Sequence, residues 1–208
     1  YLLGLVQARL GRDPEAYAAF AKAAWLEAWV PAANLQLALI DARRGEDESA
    51  LQAVRTVLAV SSQHLQARNL AVVLLRRLGR PEEADSMLAA TLALDPLDLW
   101  ARHLSGALDT TRGQCEAQAL LDVALENARA GEVAAAIELC DLAREADADR
   151  PLGQTACGVL ADYLAAAILE RAGDPAGAAA LRARASLGER TWNFASRLDE
   201  VAALESAL

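Results

Sequence analysis

Apolar segments rich in alanine and leucine alternate along the chain with short polar breaks, and glycines mark those breaks. Gly11, Gly45 and Gly79 are separated by 34 residues each, and the residue five positions after each of them is alanine. The same glycine-to-alanine step recurs at Gly131 and Gly173. We expect each glycine to end one helix in a left-handed conformation and each alanine to let the next helix pack closely back on it. The pattern predicts a repeated helix-turn-helix unit.

The spacing of the glycines changes in the second half of the chain. The interval from Gly79 to Gly131 is 52 residues and the interval from Gly131 to Gly173 is 42. We therefore predict three tandem repeats over residues 1–96, an irregular extra helix and turn over 97–114, and two further repeats plus an unpaired C-terminal helix over 115–208. Because the helical pattern already runs at Tyr1 and the last helix lacks a predicted partner, we expect the chain to be part of a longer protein.

The composition agrees with an all-helical chain. The 208 residues include 50 alanines and 36 leucines, both strong helix formers, against 12 glycines and 6 prolines. Hydrophobic residues make up 54% of the sequence, which excludes an intrinsically disordered chain.

The repeated unit resembles the tetratricopeptide repeat, a helix-turn-helix of 34 residues. In the first unit the signature positions are held by Leu3, Gly4, Gly11, Ala16, Phe20 and Ala23. The resemblance implies an all-α fold, a right-handed α-α superhelix of about five to six helical hairpins in which each hairpin buries its apolar face on its neighbours.

A more particular resemblance concerns the second half of the chain. Residues 115–131 and 193–205 are similar to the repeat region of a family of large bacterial proteins in which an uncharacterised β-sandwich domain resembling sugar mutarotases precedes the repeats. This resemblance implies that the chain is the scaffold part of such a protein, with any sugar-related chemistry outside it.

Charge and cysteine content narrow the functional classes. Twenty Lys and Arg against 29 Asp and Glu give a net charge of −9, which opposes binding to nucleic acid. The longest apolar run, residues 163–169, is too short to span a bilayer, so we expect no membrane partner. Three widely spaced cysteines do not suggest a disulfide framework and favour a reducing, cytoplasmic compartment.

The sequence contains little that points to catalysis or to a cofactor. His64, His103, Cys115, Cys140 and Cys157 do not stand at ligand spacings, so we interpret them as packing residues rather than metal ligands. The chain has neither a nucleophile elbow nor a glycine-rich phosphate loop. We therefore expect a protein that is not an enzyme and that binds no cofactor.

In tetratricopeptide repeats the first helix of each unit lines a concave groove, and the register of this sequence assigns candidate partner-binding residues to that groove. They are Leu35, Leu39, Arg43, Gln66, Asn69, Val73, Arg77, Leu121, Leu125, Arg129, Tyr163 and Glu170. A clamp for the carboxylate tail of a chaperone is not expected, because the inner positions that need Lys and Asn hold Leu35, Leu39 and Val73, with Asn69 alone. Trp25 and Trp29 are predicted to pack between helices rather than to bind bases or sugars.

Arginine stands two positions before all five repeat glycines, at Arg9, Arg43, Arg77, Arg129 and Arg171. A row of guanidinium groups along stacked repeats suits an acidic peptide or carboxylate ligand. The alternative is that each arginine offsets the helix dipole and bonds free carbonyls in the last helical turn.

Two functions fit these features. The first is a non-catalytic scaffold that binds a protein or peptide partner through its concave face. The second is an accessory or oligomerising segment of a larger bacterial carbohydrate-related protein, which includes a homodimer formed through exposed ends of the solenoid.

Overall fold

The computed structural model describes residues 1–107, 117–148, 157–188, 195 and 197–205, and every regular element within these ranges is a helix. In chain order the helices are α1 (Leu2–Arg9), α2 (Asp13–Ala23), α3 (Val30–Arg44), α4 (Asp47–Val60), α5 (Leu65–Arg77), α6 (Pro81–Leu94), α7 (Leu99–Leu104), α8 (Ala117–Arg129), α9 (Val133–Ala148), α10 (Gly158–Arg171), α11 (Pro175–Ser186) and α12 (Leu198–Glu205). A short 3-10 turn, Glu27–Trp29, precedes α3. None of the helices in the described ranges is long and apolar enough to cross a membrane.

The turns between paired helices form as the sequence predicts. The five repeat glycines all have positive φ, between 69° and 86°, which is the left-handed conformation expected after a helix end. The five alanines that follow them are fully buried: Ala16, Ala50, Ala84, Ala136 and Ala178. Glycine therefore reverses the chain, and the small side chain of alanine lets the two helices approach closely.

The chain divides into two compact units. The first comprises residues 1–108 together with 129–131, and the second comprises residues 109–128 and 132–208. In the first unit α1 packs on α2, α3 on α4 and α5 on α6, while α2 packs on α3 and α4 on α5. The predicted fold class, an all-α array of helical hairpins, is confirmed for the residues that the structure describes.

The core of the first hairpins shows how successive repeats adhere. Ala16 and Phe20 of α2 form a buried cluster with Leu37 and Ile40 of α3. The second helix of one hairpin thus buries its apolar face on the first helix of the next, as expected for stacked repeats. The short helix α7 packs on α5 and α6, within the span predicted to hold an extra helix.

In the second unit, α10 packs against α9, α11 and α12. The prediction that the C-terminal helix is unpaired is wrong, because α12 lies on α10 and buries Glu200 and Ala203. Gln118 of α8 donates a hydrogen bond to Glu200 at 2.5 Å, and Arg197 pairs with Asp122 at 2.6 Å. These polar contacts between distant parts of the sequence could not be inferred from helical periodicity.

Candidate functional site

The first candidate surface is the face of the first helices, to which the sequence assigns twelve partner-binding residues. Seven of the twelve are buried, with 6% or less of their surface exposed: Leu35, Leu39, Asn69, Val73, Leu121, Leu125 and Tyr163. Arg43, Gln66, Arg77 and Arg129 are partly exposed, and Glu170 is exposed near the end of α10. The aliphatic members contribute to helix packing, so contact with a partner would depend on the polar members.

The regular position of arginine before the repeat glycines has a structural counterpart in the first unit. Arg43, in the last turn of α3, pairs with Asp13 at the start of α2 (3.2 Å), and Arg77, at the end of α5, pairs with Asp47 at the start of α4 (3.3 Å). Both pairs span 30 positions and join the first helix of one hairpin to the second helix of the preceding hairpin. They therefore act as a repeated clasp between neighbouring repeats.

The same two guanidinium groups also donate to backbone carbonyls. Arg77 donates to the carbonyl oxygens of Ala42 at 3.0 Å and Ala130 at 2.8 Å, and Arg43 donates to that of Arg129 at 3.3 Å. A Cβ built on Gly131 would lie 3.2 Å from Arg77 Nη2, so this glycine permits the close approach as well as the turn. The last carbonyls of a helix lack regular partners in their own helix, and these arginines donate to such carbonyls at the ends of α3 and α8. The Ala42 carbonyl accepts from the Gly45 amide as well, at 3.2 Å.

The aspartates of this clasp were not identified from the sequence, although a signal for them exists. Asp13 and Asp47 both stand two positions after a repeat glycine. In the later units Pro81 and Val133 take that position, and Arg171, two before the last repeat glycine, is exposed. The clasp therefore belongs to the first hairpins, where the 34-residue period is regular.

Asn69 of α5, the one residue that fits a carboxylate clamp, already binds a carboxylate of its own chain. Its Nδ2 donates to both carboxylate oxygens of Asp98, at 3.0 and 3.1 Å, and Asp98 in turn caps α7 by accepting from the Ala101 amide at 2.8 Å. Asn69 is 1% exposed. The residue thus positions α7 on α5, and an external carboxylate would have to displace Asp98 to reach it.

In the second unit, Glu170, the last of the twelve assigned residues in chain order, forms an ion pair with Arg182 of α11. The neighbouring helices carry a second network, in which buried Asp162 of α10 accepts from Arg184 of α11 at 2.5 Å, and Arg184 also pairs with Asp141 of α9 at 3.2 Å. These charges tie α9, α10 and α11 together.

The groups capable of metal binding or nucleophilic chemistry are dispersed. Burial, together with the nearby carboxylates of Asp141 and Asp162, raises the pKa of the Cys140 thiol to about 12, so this thiol is protonated and unreactive at neutral pH. The His64 Nδ1 accepts from the Ala67 amide and caps α5. Among the described residues no three His, Cys, Asp or Glu side chains cluster in a way that could hold a metal ion, and Cys115 lies outside those residues.

The two tryptophans near residue 27 behave differently from each other. Trp29 stacks on the Tyr1 ring, with centroids 4.8 Å apart. The prediction that both rings pack between helices is wrong for Trp25, which is 83% exposed. The reason is that α2 ends at Ala23, so Trp25 lies in the connection and not on a helical face directed at the core.

Comparisons with known proteins give a limited similarity. No protein-family model matches the chain, and no curated protein matches it. Among solved structures, MamA (residues 41 to the end) from Desulfovibrio magneticus RS-1 is 17% identical, with 88% of this chain and 89% of that chain covered and a TM-score of 0.42. A double mutant of MamA RS-1 is 18% identical, with 88% of each chain covered and a TM-score of 0.45. Function therefore has to be inferred from the side chains of this chain.

Proposed function

We propose that the chain is a non-catalytic scaffold that binds a protein or peptide partner along the face of its first helices. The observation that supports this proposal is the Arg–Asp clasp, repeated between hairpins of the first unit, which holds each first helix on the second helix of the preceding hairpin. Rigid, regularly spaced helices offer a partner several anchoring points at once without reorganisation. The partly exposed polar residues of this face, Gln66 and Arg129, supply direct contacts in this proposal.

The test of this function is partner capture from a bacterial lysate, with bound proteins identified by mass and then rebound in purified form. We expect the double variant Gln66→Glu and Arg129→Glu to lose at least tenfold in affinity for the purified partner, because both changes place negative charge on a face proposed to meet an acidic or polar segment. Asn69 and Arg77 are left intact, so that the hydrogen bonds between Asn69 and Asp98 and the ion pair between Arg77 and Asp47 are retained.

The matched control is the pair Gln52→Glu and Arg55→Glu, which makes the same changes at exposed positions of the second helix α4. Both variants must retain the far-ultraviolet circular dichroism and melting profile of the unaltered protein. Equal capture by the unaltered protein and the first variant would exclude this face as the binding surface.

A second candidate function, an accessory or oligomerising segment of a larger bacterial carbohydrate-related protein, is favoured by the outer face of α1. Leu2, Leu3 and Val6 on this helix, and Leu10 directly after it, are between 55% and 71% exposed. The residues 34 positions after Leu3 and Val6 are Leu37 and Ile40, which are buried against α2. The face of α1 therefore carries the apolar residues that neighbouring repeats use for stacking.

We expect this face to support self-association. Light scattering during size-exclusion chromatography should give a mass that rises with protein concentration, and the double variant Leu3→Gln and Val6→Gln should stay monomeric at every concentration. Leu97→Gln with Leu187→Gln is the control, because these leucines are 75% and 89% exposed elsewhere. A concentration-independent monomer for the unaltered protein would refute the oligomerising role and leave the scaffold proposal standing.

A further inference from the structure

A second candidate binding surface lies in the second unit, along α9. One face of α9 and Leu169 of α10 line a groove of about 720 Å³. Its apolar lining includes the half-buried side chains of Val133, Ile137 and Leu142 in addition to Leu169. None of the twelve residues assigned to the first-helix face lies in it.

The charged side chains that line the groove are acidic. Among the residues that the structure describes, its ionisable lining residues are Glu138, Asp141 and Glu145, and they include no Lys, Arg or His. Asp141 is compensated by Arg184 at 3.2 Å and by Arg144 at 3.7 Å. Glu138 and Glu145 are exposed, and within the described residues neither has an ion-pair partner. The negative charge that a ligand could pair with therefore comes from the carboxylates of Glu138 and Glu145.

The arrangement along α9 sets the size of a complementary ligand. At 1.5 Å rise per residue, the lining from Val133 to Glu145 extends about 18 Å, or just over three helical turns, and the two glutamates stand about 10 Å apart. An elongated groove of this length suits a peptide segment better than a compact metabolite. The carboxylates of Glu138 and Glu145 repel phosphates, nucleic acids and acidic peptides.

We propose that the α9 groove docks an amphipathic helix of a partner protein, with aliphatic side chains on its inner face and two Arg or Lys residues seven positions apart at its edge. Residues seven apart lie on the same side of a helix, about 10 Å from each other, and so match Glu138 and Glu145. The aliphatic face covers Val133, Ile137 and Leu169, as in other helix-in-groove complexes. The surface is separate from the first-helix face and gives the chain a second mode of partner binding.

Binding of a designed helical peptide tests the proposal. The probe is a fluorescently labelled 15-residue peptide of Leu, Ala and Arg with leucines at helical spacing and two arginines seven apart, followed by fluorescence anisotropy. We expect saturable binding that weakens roughly tenfold in the variant Glu138→Gln with Glu145→Gln, since the variant removes two partly solvated ion pairs. The same peptide with Gln in place of both Arg should bind to the unaltered protein no more tightly than the arginine peptide binds to the Glu138→Gln, Glu145→Gln variant.

Two further variants show whether the groove itself is the site. Glu15→Gln with Glu82→Gln changes the net charge by the same amount at exposed first-turn positions and should leave the affinity within twofold. Ala134→Arg, at an exposed position lining the groove, should abolish binding while circular dichroism stays unchanged, because a long cation then occupies the groove. Absence of saturable binding, equal weakening by the two charge variants, or unchanged binding to Ala134→Arg would each overturn the proposal.

Discussion

Replacing Phe20 by alanine should lower the free energy of unfolding by about 3–5 kcal/mol, the range for truncating a buried phenylalanine. Phe20 is fully buried, packs with Ala16, Leu37 and Ile40, and lies with its ring centroid 5.6 Å from that of Tyr1. The side chain therefore holds together both helices of the first hairpin and the first helix of the second. Urea unfolding followed by circular dichroism and tryptophan fluorescence measures the loss.

A substitution at Gly4 tests whether the Phe20 ring packs directly against α1. A Cβ on Gly4 would lie 2.6 Å from two atoms of the Phe20 ring, so Gly4→Ala should cost about 1–3 kcal/mol through overpacking. In a Phe20→Leu background the same change should cost clearly less, because the ring atoms that clash are absent. Independent, additive effects of the two substitutions would contradict the packing described for α1 on α2.

Replacing Arg77 by alanine should destabilise the first unit by about 2–4 kcal/mol. The change removes the ion pair with Asp47 and the hydrogen bonds to the carbonyls of Ala42 and Ala130. Exposed ion pairs contribute little, but hydrogen bonds from a charged donor contribute about 1.5–3 kcal/mol each, and this side chain is only 23% exposed. Urea unfolding of the full chain gives the magnitude.

The chain provides a matched control for this prediction. Arg171 stands at the same register position, two before a repeat glycine, but is exposed and faces no aspartate at the equivalent position, since Val133 is found there. Arg171→Ala should therefore change stability by less than about 0.5 kcal/mol. Arg77→Lys should recover only part of the loss, because one ammonium group cannot reach three acceptors as the guanidinium fork does. Equal effects at Arg77 and Arg171 would show that dipole compensation, and not the clasp, accounts for the arginine row.

The position of the arginines in each repeat is visible in the sequence, whereas their binding partners are not. The period of the arginine row follows from the sequence, as do the two explanations offered for it. The partners of Arg43 and Arg77 lie 30 or 35 residues upstream and more than 50 residues downstream, in other helices or directly after them. Contacts of that separation depend on how the hairpins stack, so the aspartates two positions after a repeat glycine are recognised as partners only once the stacking is known.

The predicted first-helix face shows a similar division. Its residues lie on α3, α5, α8 and α10, yet all six of its apolar members are buried and Asn69 binds Asp98. Burial depends on which helices cover a position, whereas sequence register fixes only the side of a helix on which a residue lies. The binding role of this face stays a prediction.

By itself the sequence determined the helical hairpins and their turns. Glycine at a fixed period is the residue that adopts a left-handed conformation without steric cost, and alanine five positions later is small enough for close helix packing, so these local choices set the repeat. Only the tertiary structure decided that α12 packs on α10, that Trp25 is exposed, and that α9 and Leu169 form an acidic, apolar groove. Those features arise from contacts between helices distant in the chain, and their energies depend on burial and on the approach of charges that become neighbours only when the hairpins have stacked.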